Sequence, residues 1–187
     1  MLSLGLDPGW KNFGVSLVEF VEGDPWKVKI IEGECYCISG APEEFVNRLC
    51  TDTRLSQVSI ERYVSYANVR SGEAENITQV IGMIRMKYYL LNKERSIIIP
   101  NSKEGPVQVS LVRAIEWKTR LVQLLNKYCE FSNPSMDLDK KFSMAAAKRV
   151  VTNPEFIRND HIADAVCVAA LSVFERSLAS TKPRIKL

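Results

Sequence analysis

The segment Leu4-Gly5-Leu6-Asp7-Pro8-Gly9-Trp10-Lys11-Asn12-Phe13-Gly14-Val15-Ser16-Leu17 limits the architecture of this chain more than any other. A short apolar run breaks at Asp-Pro-Gly, then resumes as a run alternating apolar with small or polar residues. Two strands joined by a tight turn satisfy this pattern, because Pro8 withdraws a backbone donor and Gly9 admits a positive φ. Asp7 then closes the first strand with its carboxylate clear of the ladder, where it suits a hard cation. An ordinary hairpin whose Asp merely starts a turn fits the stretch equally well, so residues further along must decide.

Residues 26–37 continue the alternation, with Gly33 read as a bulge. With residues 2–7 and 13–20 they form a three-stranded antiparallel meander. Pro42-Glu43-Glu44 opens a helix to about residue 53, with proline near the first turn and acids at its positive end. Residues 57–61 make a short buried strand ending on Glu61, followed by a polar stretch over 62–72. Between residues 73 and 93, Ile77, Val80, Ile81, Ile84, Tyr88 and Leu91 repeat at helical spacing. The run Ser96-Ile97-Ile98-Ile99-Pro100 reads as a strand closed by proline, so strand, helix and strand predict a right-handed crossover with parallel pairing. Further helices are expected over 110–128 (on Leu111, Ile115, Leu121, Leu124 and Leu125), over 142–151 and over 161–177. Asn159 or Asp160 caps the last one, and capping is the preferred role for Asp160. The expected organisation is one domain over residues 1–177 and a basic tail over 178–187.

At 187 residues the chain suits a single domain with a real core. No apolar run approaches the roughly 20 residues that span a bilayer, and no basic-then-apolar leader opens the chain. The expected location is the cytoplasm of a bacterium or of a phage-infected host cell. The five cysteines are odd in number and lack zinc-site spacing, so reduced thiols are expected. The net charge of +3 is unevenly spread: residues 1–61 carry 5 Lys/Arg against 10 Asp/Glu, and residues 62–187 carry 20 against 12. The basic excess of the second part points to a polyanionic partner.

This order of elements is that of an RNase H-like fold, an α/β architecture. Its five-stranded mixed sheet has three antiparallel strands, then parallel strands, and is flanked by helices. In such a sheet Asp7 and Glu61 end strands, while His161 and Asp164, three apart, share one face of the last helix. Neighbouring strand ends and a helix start can bring all four into one pocket. Carboxylates so crowded raise one another's pKa and call for cations, and a two-metal phosphodiester site needs several of them. The plainer alternatives are a surface strand end for Glu61 and a first-turn acid for Asp164; Asp160 competes with His161 as a ligand.

The chain resembles the RuvC family of Holliday junction resolvases. The resemblance rests on Gly5-Leu6-Asp7-Pro8-Gly9 with Gly14-Val15, on Ser59-Ile60-Glu61, and on His161-Ile162-Ala163-Asp164-Ala165. A glycine-containing helix around residues 79–84, the Pro100 strand end and Lys118 match more loosely. The resemblance implies a homodimeric endonuclease, dependent on two Mg²⁺ ions that Mn²⁺ can replace. Its substrate would be four-way or other branched DNA, nicked symmetrically to leave 5′-phosphate and 3′-hydroxyl ends. It further implies Asp7, Glu61 and Asp164 as metal ligands, with His161 as a ligand or a water-positioning base, and Lys118 on DNA phosphates. Arg70, Arg113 and Arg120 are candidate DNA contacts, as are Tyr63 and Tyr66, which flank the place of the family's aromatic wedge at Val64. The region around 104–115 departs from the family in lacking a glycine-rich turn. Alternative readings are a YqgF-type RNA-processing nuclease, a non-catalytic junction-binding protein, and an actin-like ATPase, the last requiring about twice this length.

Overall fold

Alternation along the first strands sorts their residues onto two faces, which differ in side-chain size. In β1 (Leu2–Asp7), Leu4 and Leu6 take one face while Ser3, Gly5 and Asp7 take the other. β2 (Phe13–Phe20) sets Val15 and Leu17 against Gly14 and Ser16, and β4 (Leu55–Glu61) sets Val58 and Ile60 against Ser59 and Glu61. With β3 (Val28–Tyr36) and β5 (Gln108–Val112) they form one sheet of order β3-β2-β1-β4-β5. β3, β2 and β1 pair antiparallel, and β1, β4 and β5 pair parallel. This is the mixed five-stranded sheet of an RNase H-like fold. The computed structural model describes all residues except 51–53, 64–70, 99–105, 130, 132–139 and 182–187.

Helices α1 (Pro42–Leu49) and α2 (Ser71–Ile98) cover the large-residue face, burying Val46, Ile77, Val80, Ile84 and Tyr88 over the strand leucines and valines. Helices α3 (Ala114–Tyr128), α4 (Lys140–Val150) and α5 (Asp160–Thr181) build the core on the small-residue face. α5 lies against the backbone there. A Cβ on Gly5 would stand 1.8 Å from the Ala165 carbonyl oxygen, and one on Gly14 would stand 2.3 Å from that of His161. Neither helix nor sheet can yield locally, so Gly5→Ala is expected to cost about 3 kcal/mol or more through overpacking. Urea denaturation checks this; a wild-type midpoint would mean that α5 does not sit as described.

Several local expectations are corrected. The fifth strand is β5, not residues 96–100: α2 runs on through Ile98, and the segment entering β5 is held where the Asn92 side chain bonds both the N–H and the carbonyl of Val107, each at 2.8 Å. The strand–helix–strand crossover is therefore present with a different closing strand. α3 starts at Ala114, and its buried stripe is Trp117, Leu121 and Leu125. Leu111 lies in β5 and Ile115 is 58% exposed. The β2–β3 register slips between Leu17 and Val18, whose partners are Glu32 and Ile30, so the bulge falls at Ile31. Gly33 instead accommodates Ile162, whose methyl would stand 3.3 Å from a Cβ there. Gly9 needs no positive φ; its place is set by the Asn12 carbonyl oxygen, 2.4 Å from where a Cβ would be. Asn159, not Asp160, caps α5, its Oδ1 accepting from the Ile162 N–H at 2.9 Å. α5 continues to Thr181, past the expected start of the tail, and residues 182–187 lie outside the described residues. Among the described residues no helix is long and apolar enough to cross a membrane, and the five cysteines form no disulfide.

Candidate metal centre

Parallel register brings the first two carboxylates together. Leu6 of β1 pairs with Ile60 of β4, so Asp7 and Glu61 emerge side by side at the carboxyl edge of the sheet. The helix seated on Gly5 and Gly14 begins over the same edge, and its first turns deliver His161 and Asp164. One ligand oxygen from each of Asp7, Glu61 and Asp164 lies within 4.8 Å of the other two. His161 is attached to this group through Asp7, with 2.8 Å between Nδ1 and Asp7 Oδ2. All four expected side chains thus meet at one place, three as a carboxylate cluster and the imidazole as a partner of one of them.

Among the described residues, Lys118 is the cation whose charge opposes the carboxylates here. Burial, then the nearby Asp7 charge, pushes the Glu61 carboxyl up to about 7, against the opposing effects of the Trp117 N–H and the Lys118 ammonium. Burial also raises Asp164 to about 6; the Ser143 hydroxyl, which faces it from α4 without a well-aligned hydrogen bond, offsets part of this, and the charge of Asp7 adds to it. Asp164 Oδ1 is buried and has no hydrogen-bond partner among the described residues. A buried acceptor left unmade costs on the order of 1–3 kcal/mol unless something satisfies it. Three convergent carboxylates, one with an orphaned oxygen, form a donor set suited to a hard divalent cation.

The candidate nucleic-acid contacts are more scattered. Lys118 stands over the Trp117 ring, its Nζ 5.2 Å from the centroid, and its charge acts on both Glu61 and Asp164. Arg113 is exposed and paired with Glu116 at the start of α3. Arg120 is exposed and bonds Glu175 of α5 at 3.1 Å. Tyr63 follows β4 and packs, half-buried, on the α1/α2 side of the sheet. Tyr66 and Arg70 lie outside the described residues.

Two neighbours of the acids were not anticipated: Ser143, and Trp117, whose indole N–H donates to Glu61 Oε2 at 2.7 Å. The four-residue spacing of Trp117, Leu121 and Leu125 was a signal for the burial of this tryptophan.

No family model and no curated protein matches this chain. Solved structures do. The chain is similar to Thermus thermophilus RuvC in complex with Holliday junction substrate, at 17% identity and a TM-score of 0.63, covering 96% of this chain and 97% of that one. It is similar to the yeast mitochondrial Holliday junction resolvase Ydc2 at 15% identity and a TM-score of 0.64, covering 95% and 81%. For the fowlpox virus Holliday junction resolvase the values are 13%, 0.52, 94% and 99%. At these identities the likeness is one of fold.

Proposed function

We propose that this chain is a divalent-metal-dependent endonuclease that resolves four-way DNA junctions by paired, symmetric nicks. The observation that carries the reading is the carboxylate cluster of Asp7, Glu61 and Asp164 at the sheet edge of a fold shared with Holliday junction resolvases. Asp7, Glu61 and Asp164 would hold two Mg²⁺ or Mn²⁺ ions, which supply a water activated for attack on a phosphodiester and a stabilised leaving 3′-oxygen. The products would then be 5′-phosphate and 3′-hydroxyl ends.

The chain's own groups divide the remaining work. His161 fixes the Asp7 carboxylate through the 2.8 Å contact and is the nearest imidazole to receive a proton from the attacking water. Lys118, beside the acids, is positioned to meet the scissile phosphate. Arg113, before α3, and Arg120, on it, are exposed and paired with Glu116 and Glu175, and would reach DNA by exchanging those partners for phosphates.

Symmetric nicking needs two sites, and α2 supports a homodimer. Its outer face exposes Met86, Tyr89 and Leu90, at 57%, 64% and 45%. Gly82 sits on that face with nothing within 4 Å of a Cβ position, although glycine in a helix costs roughly 0.5–1 kcal/mol against alanine. A second copy packing the same face about a two-fold axis explains both the apolar exposure and the missing side chain. Tyr89→Glu is expected to convert the dimer to monomer in sedimentation velocity; an unchanged dimer would move the interface elsewhere.

The test of the function compares a four-way junction, plain duplex and an RNA–DNA hybrid in Mg²⁺. Paired nicks in the junction alone are expected. Preferential cutting of RNA would favour the RNA-processing reading. Tight junction binding without cutting in Mg²⁺ or Mn²⁺ would favour a non-catalytic binder.

A further inference from the structure

We infer that Trp117 is a positioning residue for the metal centre, its indole holding the Glu61 carboxylate in the orientation that binds the cation. This rests on the metal centre proposed above and adds to it a residue on an element that supplies no ligand.

The geometry is specific. Trp117 is fully buried, 0% exposed, so its orientation is set by packing. It forms one stripe with Leu121 and Leu125 on α3, and its ring lies 6.4 Å from that of Phe142 on α4. Its Nε1–H donates to Glu61 Oε2 at 2.7 Å, a short contact of the charge-assisted kind. The location of α3 follows from the sheet. β5 runs parallel to β4, with Glu61 paired to Val112, and the Arg62 N–H bonds the Val112 carbonyl at 2.7 Å. The chain turns at Arg113, where the backbone N–H bonds Glu116 Oε2 at 3.3 Å, and the first turn of α3 then carries Trp117 over Glu61.

The choice of side chain has a chemical reason. Indole is a donor only, so it can neither ligate a cation nor take the place of a ligand. It occupies one lone pair of Oε2 and leaves Oε1 and the other lone pair for metal. Glutamate has one more rotatable bond than the aspartates beside it, and is the ligand with most to gain from being held. Partners that orient a metal ligand in this way typically contribute 10–100-fold to affinity.

The experiment is a calorimetric titration with Mn²⁺ of wild type, Trp117→Phe, Glu61→Ala and the double variant, together with melting curves of each. Phenylalanine keeps an aromatic ring in the stripe while removing the donor, and the melting curves report the packing lost with the second ring. The expectation is that Trp117→Phe weakens Mn²⁺ binding 10–100-fold in the Glu61 background and leaves the Glu61→Ala background unchanged. Mn²⁺ affinity within twofold of wild type in Trp117→Phe, whatever its melting temperature, would overturn the inference and leave a merely structural tryptophan. No Mn²⁺ binding by wild type would instead overturn the metal centre itself. Should Trp117→Phe fail to fold, the wild-type indole N–H resonances still decide. Trp10→Phe and Trp26→Phe assign the third signal to Trp117, and Mg²⁺ should move it; a Trp117 signal indifferent to Mg²⁺ at saturation contradicts the inference.

Discussion

Asp7→Asn is expected to lower junction nicking by on the order of a thousandfold or more, with junction binding within a few-fold of wild type. The residue has three parts in the site. It supplies an oxygen to the carboxylate cluster, it carries the His161 contact, and its charge helps lift both Glu61 and Asp164. The amide keeps the shape, so folding and DNA contacts elsewhere persist, while metal affinity and the orientation of His161 are both lost. Single-turnover nicking and a gel-shift titration, run side by side, separate the two effects. A variant that still cuts at a tenth of the wild-type rate would remove Asp7 from the reacting centre.

The second large effect is on stability, and its sign runs against the usual behaviour of carboxylates. Glu61 and Asp164 titrate near 7 and 6 in the fold, above the ordinary carboxylate range. The folded chain therefore holds more protons than the unfolded chain between about pH 4.5 and 7, and stability must fall as pH rises through that window. Glu61 alone accounts for on the order of 3 kcal/mol by pH 8, relative to pH 4; Asp164 adds less than an independent share, because the two interact. Urea denaturation in chelator should show the metal-free protein weaker at pH 8 than at pH 5.5. Glu61→Gln should flatten that slope and raise stability at pH 8. Mg²⁺ at a hundred times its dissociation constant should restore about 2.7 kcal/mol. Metal-free stability that rises over the same window would mean that Glu61 and Asp164 are not buried as described.

The parts of the site legible in the sequence are those encoded by short, strict periods. Ser3-Gly5-Asp7 and Ser59-Glu61 are period-2 readings, so recognising two strands was enough to set both acids on the face that α5 covers. His161 and Asp164 follow from helical spacing alone. The fifth strand was misplaced because Ile97-Ile98-Ile99 bounded by proline has the composition of a buried strand, and short apolar runs do not distinguish strand from helix. β5 lies at the sheet edge with Leu111 41% exposed, so its pattern is weak, and Leu111 with Ile115 mimics a helical repeat. Asn159 and Asp160 are adjacent and nearly equal as caps; the first makes the capping bond, to the Ile162 N–H. Trp117 was out of reach for a different reason. Its contact with Glu61 joins residues 56 apart and depends on where β5 ends, which the misplaced strand concealed.

Asp7, Glu61 and Asp164 are proposed to bind divalent cations together. Anomalous diffraction from a crystal grown in Mn²⁺ tests it most directly. Manganese peaks are expected within about 2.2 Å of oxygens from all three carboxylates, with the Trp117 indole nitrogen still within hydrogen-bond distance of Glu61. Density without manganese between them, or manganese bound only elsewhere on the surface, would contradict it.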